Sequence, residues 1–325
     1  MDPAAASVFS LWTATVLYAI AMVAYSVRLG RIADAKVAAK RELAEVGAAP
    51  AAAALATSVA TPADAPAGPS VVARKALGIG RAATLVGAVL HGVGVIARGI
   101  DAGHVPWSNM YEFTISGAWV AVVVFLVLQR VRDIAYLAPG VTALATIALG
   151  LALTVLYREA TGLQPALQSF WLVIHVSIAV ISTGVFTVAA VATVLQLLRS
   201  GRDQGTGALA GGPFRWLEAV PSATSLEALA FRLNAVGFVL WTFTLVAGAI
   251  WAEHAWGRYW GWDPKEVWTF VIWVLYAAYL HARTTQGWSG RKAAWLAISA
   301  YVAVIMNFTI VNTLFQGLHS YAEVS

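Results

Sequence analysis

The residue types best suited to chemistry in this chain are tryptophan and histidine, and they cluster. Positions 251–268 read Trp-Ala-Glu-His-Ala-Trp-Gly-Arg-Tyr-Trp-Gly-Trp-Asp-Pro-Lys-Glu-Val-Trp. Trp251, Trp256, Trp260, Trp262 and Trp268 are five of the chain's 14 tryptophans. An aromatic belt at a membrane interface accounts for one or two such residues per helix end. It does not account for a run interleaved with Gly257, Gly261 and the charged turn Asp263-Pro264-Lys265-Glu266. Flat apolar faces with a few fixed polar groups suit a large planar apolar ligand. The glycines let the backbone come close to it. Arg258 or Lys265 is suited to pairing with carboxylates on that ligand. Asp263 and Glu266 fit better as braces, through a helix cap after the turn and local ion pairs.

The histidines sharpen this reading. His175 lies four residues into an apolar run that starts at Trp171, and His319 follows the last apolar run in Gly317-Leu318-His319-Ser320-Tyr321. Neutral imidazole is an axial ligand for haem iron. Two imidazoles on opposite faces would hold a six-coordinate haem against a platform of tryptophans. For either histidine alone, an interfacial polar residue is the plainer account. His281, in Tyr279-Leu280-His281-Ala282-Arg283, and His91, in Val89-Leu90-His91-Gly92, lie within apolar runs. An ionisable group in a membrane is a functional candidate by default, here for a second haem or an entry site. The alternative is a helix–helix hydrogen bond, or snorkelling of His281 to the surface. His254 reads as a polar rim residue of the tryptophan run. His104 precedes Pro106-Trp107-Ser108-Asn109-Met110-Tyr111-Glu112, a structured loop with Ser108 or Asn109 as a helix cap.

The elements that must carry these residues follow from composition. Hydrophobic residues make up 60% of the 325 and charged residues only 11%, against about 25% charged in a soluble domain. The fold class is therefore all-α, a polytopic integral membrane protein of about eight transmembrane helices. The apolar runs are Val8–Leu29, Ala82–Ile100, Ile115–Leu128, Ile134–Leu156, Trp171–Leu198, Leu233–Trp251, Val267–His281 and Ala293–Phe315. The third and seventh are short for the roughly 20 residues that a crossing needs, so their ends extend into flanking polar residues.

Most cations fall in the loops after the odd-numbered spans. Of the 21 Lys and Arg, only Arg98, Arg158, Arg258 and Lys265 fall on the other side. By the positive-inside rule both termini and the tryptophan loop lie outside, with an uncleaved first span. Residues 1–30 form that span. Residues 31–81 form a cytoplasmic Ala/Pro-rich linker, and residues 82–325 a seven-span domain. The chain has no cysteine, which excludes disulfides and thiol chemistry of its own. Neither a phosphate-cradling Gly-Lys-Ser/Thr loop nor a His-Glu-x-x-His pair occurs. The net charge of +5 sits in short inter-span segments, which points to lipid and away from nucleic acid.

The run Trp256 to Trp268 resembles the WWD signature of haem-handling cytochrome c biogenesis proteins. Its Asp263-Pro264-Lys265-Glu266-Val267-Trp268 ending resembles the CcsA branch, also called ResC and, in actinobacteria, CcsB. The segments around His175, His319 and His281, and Pro106–Glu112, resemble further blocks of the same family. The resemblance covers the chain from the second span to the C-terminus. It implies a subunit of the System II cytochrome c synthase, a holocytochrome c synthase, in the cell membrane. Haem b, as transported ligand, would meet His281 at an inner membrane site, with a second ligand from a ResB-type partner (elsewhere called CcsB) or from His91. It would then pass to His175 and His319 outside, held by the loop of Trp256, Arg258, Trp260, Trp262, Asp263 and Trp268. Thiols of a Cys-x-x-Cys-His motif in apocytochrome c would add across the vinyl groups, forming two thioether bonds. Thioredoxin-like partners would keep those thiols reduced. A haem exporter without ligation activity is the alternative.

Overall fold

The computed structural model describes residues 2–48, 70–163, 167–205 and 207–319. The expected linker's central stretch and the last residues of the Gly317–Tyr321 segment lie outside the described residues. Among those described, the chain is helical and without strands. The long helices are α1 (Pro3–Ala48), α2 (Val71–Ala102), α3 (Met110–Val131), α4 (Ala138–Leu151), α5 (Phe170–Asp203), α6 (Ala223–Trp256), α7 (Pro264–Thr284) and α8 (Gly290–Phe308), followed by the short α9 (Ile310–Leu314). Seven of these segments are long and apolar enough to cross a membrane. The exception is α7, where the seventh span was expected. It has the length, at 21 residues, but its tryptophans, tyrosines and terminal charges lower its hydropathy. The third and seventh helices both extend past the apolar runs, as their shortness required. Helix α1 continues well past Leu29. At 46 residues it is about 70 Å long, roughly twice the thickness of a hydrocarbon core. Its extension is rich in Ala, Lys, Arg and Glu, all strong helix formers.

Glycines set how closely the helices approach. On α2, Gly80, Gly87 and Gly94 repeat every seven residues, and a Cβ at each would meet Tyr25, Tyr18 and Leu11 of α1 at 3.0, 2.9 and 2.7 Å. The two helices therefore interlock as large knobs into glycine gaps, a mode suited to packing in lipid. Between α5 and α6, Gly237 makes room for the Phe186 ring, and its carbonyl accepts a 2.8 Å hydrogen bond from Ser182 Oγ. The Phe186 ring then stacks on Tyr276 of α7 at 3.8 Å.

The two ends of the bundle differ in what ties them. At one end, Lys36 donates to the Glu218 carbonyl at 3.1 Å, Arg215 pairs with Asp34, Arg202 pairs with Glu218 at 3.1 Å, and Arg283 pairs with Glu227. Ion pairs thus lock α1, the α5–α6 connection and the α7–α8 turn. At the other end, Ser7 of α1 donates to the Gly94 carbonyl at 2.8 Å, and His104 reaches the Thr161 carbonyl at 3.3 Å. The tryptophan run lies at this second end, between α6 and α7.

Candidate functional site

The turn into α7 is fixed by its own side chains. Asp263 is the N-cap, and with Glu266 it closes a capping box. Glu266 Oε2 accepts from the Gly261 N–H at 2.8 Å and the Asp263 N–H at 3.0 Å. These two donors flank Trp262, which sits at φ +59°, the one positive-φ non-glycine residue among those described. A left-handed tryptophan costs on the order of 1 kcal/mol or more, and the doubly bonded Glu266 carboxylate sustains it. The Arg258 guanidinium occupies the space where a Cβ on Gly261 would stand and lies 3.8 Å from Glu266. Both acids brace the loop, as their positions suggested.

Asp263 also reaches across to the C-terminal segment. Its carboxylate accepts from the Leu318 N–H at 2.6 Å and from His319 Nδ1 at 2.8 Å. Gly317 permits this approach, since a Cβ there would lie 2.4 Å from Asp263 Oδ2. Burial alone would raise the Asp263 carboxyl. The hydrogen bond and charge of His319, with the backbone donors of Lys265 and Leu318, outweigh it and hold the group below the ordinary aspartate value. It is therefore an anion that fixes the His319 ring and makes Nδ1 the donor, so that in the neutral ring the lone pair is on Nε2.

His175 is held by the same logic with a different acceptor. Its Nδ1 donates to the Thr244 carbonyl of α6 at 2.9 Å, which again leaves the lone pair on Nε2. A Cβ on Gly248 would come within 2.7 Å of this imidazole, so glycine is required for the ring to lie against α6. One turn further on, Trp251 stacks on His175 at 5.9 Å and 9°. The same indole meets His319 at 5.4 Å, and Trp256 closes on both Trp251, at 4.7 Å, and His319, at 4.8 Å. Thus Trp251 is the common wall of the two histidines. Thr244, Gly248 and Trp251 fall on one face of α6, a helical i, i+4, i+7 spacing. That pattern was available to find the face, though only its last member was quoted above.

Both imidazoles line a partly open cavity of about 640 Å³ between α3, α4, α5, α6, α7 and α8. That volume is in the range of small-molecule and cofactor sites. Its wall is mostly apolar, with Trp107, Trp260, Lys265 and Glu266 at the loop end and Thr187 and Tyr301 deeper in. The turn of π-helix at Ala152–Leu156 contributes Val155 and Leu156. Asn109 and Ser108 are also in the wall; Asn109 caps α3 by accepting from the Glu112 N–H at 2.9 Å, and Ser108 donates to the Glu112 carboxylate at 2.8 Å.

The other tryptophans divide by role. Trp260 faces the cavity. Trp262 is 76% exposed and meets Trp260 edge-on at 5.8 Å. Trp268 packs on the core around Trp241 and Ile272. Arg258 lies over Trp256 at 6.0 Å. His281 is exposed at the far end of α7, about 24 Å along the helix from Lys265. His91 is fully buried and bonded through both nitrogens, to the Ile115 carbonyl at 2.9 Å and the Tyr18 hydroxyl at 3.2 Å. His104 lies in the loop before α3. His254 is exposed and bonded to the Ile250 carbonyl at 2.8 Å.

The residues present fit a haem. Two imidazoles held through Nδ1 are of the type that ligates haem iron. The apolar cavity matches the ring, and a cation stands in its wall. Comparison with known proteins supplies a family. Residues 107–319 match the family described as cytochrome C assembly protein. The chain is 37% identical over 243 residues to the cytochrome c biogenesis protein CcsA of Synechococcus sp. (strain RCC307), covering 69% of this chain and 78% of that one. With the CcsA of Synechococcus sp. (strain CC9605) it shares 36% identity over 276 residues, 78% of this chain and 89% of the relative. With the CcsA of Prochlorococcus marinus (strain MIT 9303) the figures are 34% over 251 residues, 70% and 79%.

Proposed function

The chain belongs to the cytochrome c assembly family, on its CcsA branch, and from that premise we propose that it carries haem to the outer membrane face and presents it there to apocytochrome c. It is a multi-pass membrane protein with a role in cytochrome c biogenesis. The observation that carries the finer reading is the histidine pair. His175 and His319 pack on one indole at the loop end of an apolar cavity, each with Nδ1 committed to an acceptor.

Haem supplies the iron that these nitrogens bind and the vinyl carbons to which the Cys-x-x-Cys-His thiols add. The chain's residues do the rest by position. His175 and His319 grip the metal. Trp251 and Trp260 wall the ring. The apolar lining excludes water, and the braced loop holds Trp262 outward, where a substrate chain can meet it. The absence of cysteine agrees with this division of labour, in which the thiols belong to the substrate. In this reading the ion-paired end of the bundle is cytoplasmic, as the cation distribution requires, and the membrane is the cell membrane. His281, exposed on α7, offers an imidazole to an inner haem whose other ligand comes from a ResB-type partner.

Co-expression with a ResB-type subunit and an apocytochrome c reporter tests the proposal. The expected result is covalently attached haem in the reporter, lost with His175→Ala/His319→Ala. Haem bound to the membrane protein with none attached to the reporter would favour an exporter without ligation activity.

A further inference from the structure

Two cations stand near the cavity, and the structure separates them. Arg258 is folded into its own loop, with Nη1 buried against Gly261, over Trp256 and 3.8 Å from Glu266. It is not in the cavity wall. Lys265, on the first turn of α7, is in the wall. Its ammonium donates to the Asn307 carbonyl at 2.6 Å and makes no ion pair among the described residues. One of its three donors is therefore occupied by a neutral acceptor, in a largely apolar surround where a bare charge is unfavourable. The acids nearby are committed elsewhere. Glu266 binds two loop N–H groups and faces Arg258. Asp263 accepts from Leu318, His319 and the Lys265 backbone N–H, and acts on the Lys265 ammonium only as a nearby charge without an ion pair. The other ionisable side chains of the wall are His175, His319, Tyr259 and Tyr301.

We propose that Lys265 is the anchor for the carboxylate edge of the ligand and so sets which edge of the ring is presented. This rests on the haem reading above and deepens it. The propionates of haem lie on the edge opposite the vinyls. With the propionates at Lys265, the vinyl edge points away from α7. An ammonium can hold a carboxylate and the Asn307 carbonyl together, and Asn307 sits two residues before Thr309, where α8 ends and α9 begins. That break leads directly to His319. Lys265 therefore ties the ligand's acidic edge to the segment that carries one of the iron ligands.

The test titrates the purified full-length protein with haem and with haem dimethyl ester, which lacks the negative charges, and follows Soret absorbance. Wild-type protein is expected to favour the free acid by about tenfold or more, the range for a charge-assisted hydrogen bond. Lys265→Gln should erase that preference by weakening haem alone. Unchanged binding of the diester certifies that the variant is folded. Lys265→Arg and Arg258→Gln should both retain the preference. A full preference for the free acid in Lys265→Gln, or its loss in Arg258→Gln, would overturn the assignment. Failure of both porphyrins to bind wild-type protein would be a different result, removing the haem reading and this anchor with it.

Discussion

His91 and His175 begin alike. Each lies between membrane-type helices, and each donates one ring N–H to a helix carbonyl at 2.9 Å, His91 to Ile115 and His175 to Thr244. They differ at the second nitrogen. In the α1–α3 region, the Tyr18 hydroxyl donates to His91 Nδ1, and the residue is fully buried. In the α5–α7 region, Gly248 removes a Cβ, Trp251 stacks nearly parallel to the ring, and His175 lines a partly open cavity. The first arrangement is a satisfied clamp across three helices. The second is an oriented imidazole beside a cavity, the arrangement a ligand needs. A buried histidine in a membrane helix thus becomes a candidate ligand through what surrounds its other nitrogen, and burial alone does not decide it.

The largest expected effect lies in the second region. His175→Ala/His319→Ala should abolish haem retention, read as loss of the Soret band from protein that still folds. His91→Phe should keep the band while lowering thermal stability. Equal loss of haem in both variants would erase the distinction between clamp and ligand. A middle effect is expected at Asp263→Asn, which exchanges an anionic acceptor for a neutral one at His319 and Leu318. Haem affinity should fall about 10- to 100-fold, as for other lost ligand-orienting contacts, in a titration of purified protein. Unaltered affinity would mean that the His319 ring is positioned by Trp251 and Trp256 alone. The smallest effect is expected at Tyr18→Phe, which leaves His91 Nδ1 buried without its donor. A stability loss of about 1–3 kcal/mol with an unchanged spectrum is the outcome that keeps the two regions separate. A shifted spectrum would connect them.

Much of the helical layout was legible because apolar runs of crossing length leave little choice in lipid. The cap at Asp263 and the brace at Glu266 were legible because helix termini demand such partners. Other features depend on pairs of helices and carry little signal in one strand of sequence. The Gly80–Gly87–Gly94 seam has meaning only opposite Leu11, Tyr18 and Tyr25. Trp251 looked like one more member of the tryptophan run, and only the fold shows it between two histidines, with Gly248 opening the space. The run itself was legible as a group but not by role. Trp260 faces the cavity, Trp256 backs His319, Trp262 points outward and Trp268 packs in the core. Helix α1 outran its apolar stretch because Ala, Lys and Glu sustain a helix after lipid contact ends.

The central claim is that His175 and His319 bind one haem iron through nitrogens held ready by Thr244 and Asp263. The most direct test replaces each histidine by glycine, purifies the protein in the presence and absence of imidazole, and records the absorbance spectrum. The account predicts that His175→Gly and His319→Gly each lose haem, and that free imidazole, entering the space left by the ring, restores part of the Soret band and its low-spin form. Folded protein that loses haem and gains nothing from imidazole at either position, or that keeps a full wild-type spectrum without these side chains, would contradict axial ligation by this pair.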